Sequence, residues 1–92
     1  MLTIHKFNVG AQDDFTLQLP KNAQILTVDV QREDVCFWVL LDSNPEIEKI
    51  ERKFVCFGTG HHIPFRLAEL RKVGTVILHG WALVFHYFEV LI

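Results

Sequence analysis

The sequence predicts a mostly β protein: a compact antiparallel β-sandwich or small barrel of about seven strands, with at most one short helix near residues 66–72. Three observations carry this. Apolar and polar residues alternate with period two in several short runs. Clusters of Gly, Pro, Asn, Asp and Ser separate those runs at close spacing. Only residues 66–72 combine helix formers with an apolar spacing of three, at Leu67 and Leu70. Ninety-two residues make one domain, 1–92.

Residues 3–9 form the opening strand, and Gly10-Ala11-Gln12-Asp13-Asp14 its loop. Residues 15–19 alternate Phe, Thr, Leu, Gln, Leu. Pro20-Lys21-Asn22 is a turn, because Pro fixes φ and Asn tolerates a left-handed backbone. Residues 25–31 alternate again, and Arg32-Glu33-Asp34 reverses the chain into a hairpin. Residues 35–41 are apolar on both faces: Val35, Phe37, Val39 and Leu41 on one, Cys36, Trp38 and Leu40 on the other. Such a strand is expected to be central and covered twice. After the Asp42-Ser43-Asn44-Pro45 turn comes a strand at 49–57.

Gly58-Thr59-Gly60-His61-His62-Ile63-Pro64 breaks the pattern. Two strands follow, 73–79 and 81–90. Gly80-Trp81 between them suggests a two-residue turn that sets Leu78 opposite Leu83 and Ile77 opposite Val84. The chain then closes on its most apolar stretch, HGWALVFHYFEVLI. A final strand this apolar is expected to be central in its sheet, or paired with a second copy, since an open edge of that character invites aggregation. Trp81, Phe85, Tyr87, Leu91 and Ile92 are the expected self-association residues, and a homodimer is the expected state. Half of the residues are hydrophobic, more than one small body easily covers.

Nine Lys and Arg stand against eleven Asp and Glu, a net charge of −2, and the basic residues are scattered. Direct nucleic-acid binding normally needs a basic face, so composition speaks against it. No apolar run approaches the ~20 residues of a membrane span. The start, MLTIHKFNVG, does not read as a signal peptide. The two cysteines, Cys36 and Cys56, sit in β-forming runs and are expected to be buried, reduced thiols; the cytosol is the expected compartment.

Five histidines invite a metal hypothesis, yet none has ligand spacing with a Cys or carboxylate, and no metal is expected. The GTGHH stretch resembles a phosphate loop only in its glycines; it lacks GxxxxGK[ST]. It reads first as a tight turn with one glycine at positive φ and Thr59 capping it. Its second reading is a binding loop in which backbone N–H groups and His61 or His62 hold an anion. Ser43 is the only serine and lies in a turn. Nothing supplies a nucleophile, a base and an orienting group, so no enzyme, catalytic residue or cofactor is expected. Glu89 is the one carboxylate in an otherwise apolar strand. It either ends that face at solvent or pairs with a base such as Lys6 or Arg52.

The stretches TIHKF, LPKNAQILTVDVQ, VCFWVLLD, GTGH and VGTVILHGWALVFHYFEV, in that order, carry a resemblance. The chain resembles a family of small uncharacterised bacteriophage and prophage proteins of similar length, with the same GTGH turn and a closing strand of the GALVFHVFE type. Trp81 stands where that family usually has Gly, and Leu91-Ile92 extends its usual ending. The resemblance implies a phage-derived protein in the cytoplasm of an infected bacterial host. It carries no catalytic residue over.

Three functions are expected in order. The first is a non-enzymatic binding protein that inhibits a host factor, such as a defence complex, in the manner of an anti-CRISPR. Its contacts would be Asp13, Asp14, Arg32, Glu33, Asp34 and the loop Gly58, Thr59, Gly60, His61, His62. The second is a protein that sequesters a nucleotide signal, with the GTGHH loop and Arg66 on the phosphate. The third is a structural or assembly component of a phage particle.

Overall fold

Residues 1–80 and 82–92 are described by a computed structural model. The alternating runs become seven strands: β1 (Leu2–Asn8), β2 (Asp14–Pro20), β3 (Gln24–Gln31), β4 (Asp34–Asp42), β5 (Lys49–Gly58), β6 (Leu70–Leu78) and β7 (Leu83–Val90). They form two antiparallel sheets, one ordered β1-β4-β3 and one ordered β2-β5-β7-β6. The chain crosses between them at the β1–β2, β2–β3 and β4–β5 connections. Both expected central strands are central: β4 lies between β1 and β3, and β7 between β5 and β6.

Local chemistry sets the turns. Ala23 N donates to Pro20 O at 3.1 Å, with Asn22 at φ 71°, the left-handed position its side chain tolerates. The β3–β4 hairpin pairs Gln31 with Asp34, leaving Arg32 and Glu33 as its two central residues, at φ 51° and 70°. Two positive φ values in a two-residue loop mark a type I′ turn, which matches the twist of the flanking strands. In the β6–β7 hairpin Leu78 faces Leu83 and Ile77 faces Val84, as the turn position predicts. Ala82 N closes that turn on His79 O at 3.2 Å. Trp81, expected in the turn and in self-association, lies outside the described residues.

The stretch near 66–72 holds only a 3-10 turn, Leu67–Glu69. The apolar pair expected to seat a helix never packs, since Leu67 is 95% exposed. Pairing with β7 wins instead, so β6 starts at Leu70, opposite Val90.

The core lies between the sheets. Phe37 of β4 meets Phe54 of β5 edge-on at 5.1 Å and Tyr87 of β7 at 5.8 Å. Phe15 of β2 stacks on Phe54 at 5.4 Å. Each such pair adds about 0.5–1.5 kcal/mol beyond area burial. Val35, Val39 and Leu41 extend this inner face of β4, and all are buried. The sheets approach closely where Gly74 of β6 lies against Val28 of β3; a Cβ on Gly74 would stand 2.9 Å from the Val28 side chain. Both strands carry a register shift there, between Ile25 and Thr27 and between Lys72 and Gly74.

Two expectations are corrected by this packing. Tyr87 is 1% exposed and Phe85 packs against the same core, so neither is available to a second copy. The alternation of β7 turns both side chains inward, toward the facing sheet. Leu91 and Ile92 remain exposed. Second, β4 is covered on one face only. On its outer face Cys36 is buried, but Trp38 and Leu40 are only half-buried.

Glu89 shares the inner face with Phe85 and Tyr87, and it pairs with Arg52. The guanidinium holds the carboxylate through Nε–Oε2 at 2.6 Å and Nη2–Oε1 at 2.7 Å, and its Nη1 donates to Ala23 O. Arg71, opposite on β6, stands 3.7 Å away. Burying a carboxylate there is tolerable because a bidentate partner and a second cation surround it.

Candidate functional site

Most of the residues singled out from the sequence come together at one end of the sandwich. Asp14 pairs with Val55 near the end of β5, and Asp13 O accepts from Cys56 N at 2.8 Å. Val9 N donates to Val35 O at 3.0 Å, which holds the start of the same loop beside the Arg32-Glu33 hairpin. Gly58, the last residue of β5, pairs with Phe85 and brings the GTGHH loop to this end.

The loop is built on two glycines with different duties. His61 N donates to Gly58 O at 3.2 Å, closing a turn whose third residue, Gly60, has φ 85°. A β-carbon is strained at that φ, which is the expected role of one glycine. Gly58 serves by proximity: a Cβ there would lie 2.8 Å from His61 Cε1, so the imidazole rests directly on the backbone.

Thr59 does not cap the turn. Its Oγ1 lies 2.7 Å from His86 Nε2, and His86 Nδ1 lies 2.9 Å from Thr75 Oγ1. A neutral imidazole donates through one nitrogen and accepts through the other, and a hydroxyl can take either part. His86 therefore ties the loop to β7 and β6 in either tautomer. From there the chain folds back over the outer face of the β2-β5-β7-β6 sheet, where Phe65 meets Phe57 at 6.5 Å.

Between this returning segment and the 10–14 loop lies a cleft of about 560 Å³. Its lining includes Asp13, Asp14, Lys53, His61, His62 and Phe65. Sequence reasoning missed Lys53, because period-two alternation marks it only as an outward residue. Arg66 does not join the cleft. Its backbone N–H donates to Glu69 Oε1 at 2.8 Å and its guanidinium stays exposed beside the same carboxylate, so it closes the 3-10 turn instead. On the other sheet Arg32 and Asp34 border a shallow depression with Lys6, whose Nζ donates to Gln31 Oε1 at 2.6 Å.

The chemistry available here is that of contact. Asp13, Asp14, Glu33 and Asp34 present carboxylates, with Arg32 and Lys53 as the neighbouring cations. Both cysteines are free and buried, and burial pushes the Cys56 thiol up, away from the reactive thiolate. Burial likewise raises the Tyr87 phenol, with Cys56 beside it adding to the effect. Among the described residues, no three His, Cys, Asp or Glu side chains are grouped to hold a metal ion, and no helix is long and apolar enough to cross a membrane.

Fold and surface thus define a small antiparallel β-sandwich domain that presents charged turns at one end. Residues 1–91 match the model of DUF7352, a domain of unknown function, and the chain belongs to that family. No curated protein and no solved structure matches it.

Proposed function

We propose that this chain is a binding protein that docks its turn-bearing end on another macromolecule and, as its resemblance to phage proteins suggests, thereby inhibits a host factor such as a defence complex. The observation that carries the reading is the convergence of Asp13-Asp14, Arg32-Glu33-Asp34 and the GTGHH loop on one end of the sandwich. The backbone supports it as well. Arg32 and Glu33 hold left-handed φ values that Asn-Gly would adopt at lower cost, and strained non-glycine residues persist where a side chain is needed in place. Acidic turns on a rigid frame imitate the phosphates of a nucleic acid toward a protein that binds one.

The test is affinity capture from bacterial lysate with the wild type and with the charge-reversed variants Asp13→Lys/Asp14→Lys and Glu33→Lys. The expected result is one stoichiometric partner complex, lost in the variants while their circular dichroism is unchanged. Capture of the same complex by the reversed variants would overturn the proposal.

A nucleotide-sequestering protein is the second reading, favoured by the cleft with His61, His62 and Lys53 on its wall. It ranks lower because Asp13 and Asp14 line the same cleft and would oppose a phosphate, and Arg66 lies elsewhere. Thermal stabilisation by a nucleotide, abolished in His61→Ala, would reverse that order.

A further inference from the structure

The outer face of the β1-β4-β3 sheet carries an apolar patch on β1 and β4, where a solvated sheet face should be polar. Leu2 is 68% exposed, Ile4 55% and Leu26 46%, and Trp38 and Leu40 of β4 lie between them, half-buried. The register joins Leu2, Ile4, Trp38 and Leu40: Ile4 stands opposite Leu40, Trp38 lies between Lys6 and Thr27, and Leu26 is the extra residue at the β3 register shift beside them. Antiparallel sheets that face water alternate apolar and polar residues, whereas doubly covered strands are apolar throughout. Here β4 has the second kind of sequence and the first kind of setting.

The opposite sheet shows what is missing. Its outer face is also apolar in places, at Val55, Phe57 and Phe88, but the returning segment with Phe65 lies over it. No segment among the described residues covers the outer face of β4.

The exposed area is enough for a protein partner. The chain exposes 6372 Å², against about 5,500 Å² for a compact monomer of its mass. The excess, roughly 900 Å², is close to the ~800 Å² that each partner contributes to a standard protein–protein interface. The shape agrees. The radius of gyration is 13.7 Å and the extents are 42 × 32 × 16 Å, a slab rather than the ball of roughly 12 Å radius of gyration usual at this length.

We infer that this face is a homodimer interface, in which the β1-β4-β3 sheets of two copies pack face to face about a two-fold axis through Ile4, Leu40 and Trp38. A second copy suits the face in chemistry as well as in area. The charges around it are of both signs, Lys6 on β1 and Asp29 on β3 beside Asp42 on β4, so a two-fold copy need not set like charges together. An anionic membrane would select a basic face instead, and this one offers a single lysine.

Sedimentation equilibrium of the full chain, alone, at rising concentration tests the inference. The wild type should run at twice 10.7 kDa. Ile4→Lys and Leu26→Lys change exposed side chains and should halve that mass with the far-UV spectrum kept. A measurement that needs no charge in the patch runs beside it: maleimide labelling of Ile4→Cys and Leu26→Cys should slow as protein concentration rises, and labelling of Leu67→Cys, on the other sheet's side, should not. A monomeric wild type would overturn the inference. So would a dimer that ignores Ile4→Lys and Leu26→Lys but dissociates on Ile92→Lys, since that would put the contact at the chain's last residues.

Discussion

Removing the carboxylate of Glu89 should cost this small fold a large part of its stability. The Arg52 and Glu89 side chains are 11% and 7% exposed, so the screening that makes surface pairs nearly worthless does not apply to them. Glu89→Ala leaves the Arg52 guanidinium buried, with Ala23 O its one protein acceptor, and breaking such a pair from one side costs about 3–5 kcal/mol. A domain of this length has about 5–14 kcal/mol in total. A loss of about 3 kcal/mol corresponds to a fall in Tm of roughly 12–24 °C at this size. Arg71, 3.7 Å from the carboxylate, is itself a cation and offers the stranded guanidinium no acceptor. The companion variant, Arg52→Met/Glu89→Leu, removes both charges and refills the space. Its remaining penalty is the Ala23 carbonyl left without its donor, about 1–3 kcal/mol. Urea unfolding of Arg52→Met, Glu89→Leu and the double reads the difference, with m-values checked for constancy. A double variant as unstable as the sum of the singles, or a Glu89→Ala variant within about 1 kcal/mol of wild type, would show that the pair is not coupled as its geometry implies.

Three further outcomes follow from the turns. Replacing Arg32-Glu33 by Asn-Gly should stabilise the β3–β4 hairpin by about 1 kcal/mol while weakening capture of the partner, read as a raised Tm beside a lost complex. Gly60→Ala should cost about 1–2 kcal/mol for its left-handed backbone, whereas Gly58→Ala should cost less, because His61 can swing away; the two are separated by Tm and by the shift of the His61 ring resonances. His86→Ala removes both threonine contacts of the loop anchor and should cost roughly 1 kcal/mol, with hydrogen exchange accelerated at 58–62 and unchanged at Phe54.

Strand content was legible because period-two alternation is a local signal, and it located all seven strands. The Gly80-Trp81 position gave the β6–β7 register correctly, since a hairpin's register is fixed by its turn. Asn22 and Gly60 were legible for the same reason: each turn needs a left-handed residue, and few residues supply one. What lay beyond the sequence was set by contacts distant along the chain. Leu67 and Leu70 have helical spacing, but β7 offers Leu70 a partner and nothing offers Leu67 a groove. Arg52 was one of two bases named for Glu89, and only the order β5-β7-β6 shows that it, and not Lys6, shares the inner face. Arg66 looked like a phosphate ligand beside the GTGHH loop, yet the returning segment carries it away from the cleft. His86 stood out in the sequence only as one of five histidines, because its threonine partners lie on two other elements.

The apolar character of β4 and β7 has one cause in sequence and two outcomes in space. Both strands are central, so both carry apolar side chains inward. Outward, β7 is sheltered by the segment that follows β5, which the His86 anchor and Phe65 hold down. The outer face of β4 has no such segment among the described residues: β3 and β4 are joined by a two-residue turn, and the chain after Asp42 crosses to the other sheet. The exposed apolar residues of that sheet, Leu2 and Ile4 among them, lie toward the end opposite the charged turns. A copy packed there leaves Asp13-Asp14, Arg32-Glu33 and the GTGHH loop of both protomers facing away from the shared axis. Two docking ends on one particle raise avidity by as much as about 10²–10⁴ without any new contact, provided the target presents its sites at a span the dimer can bridge.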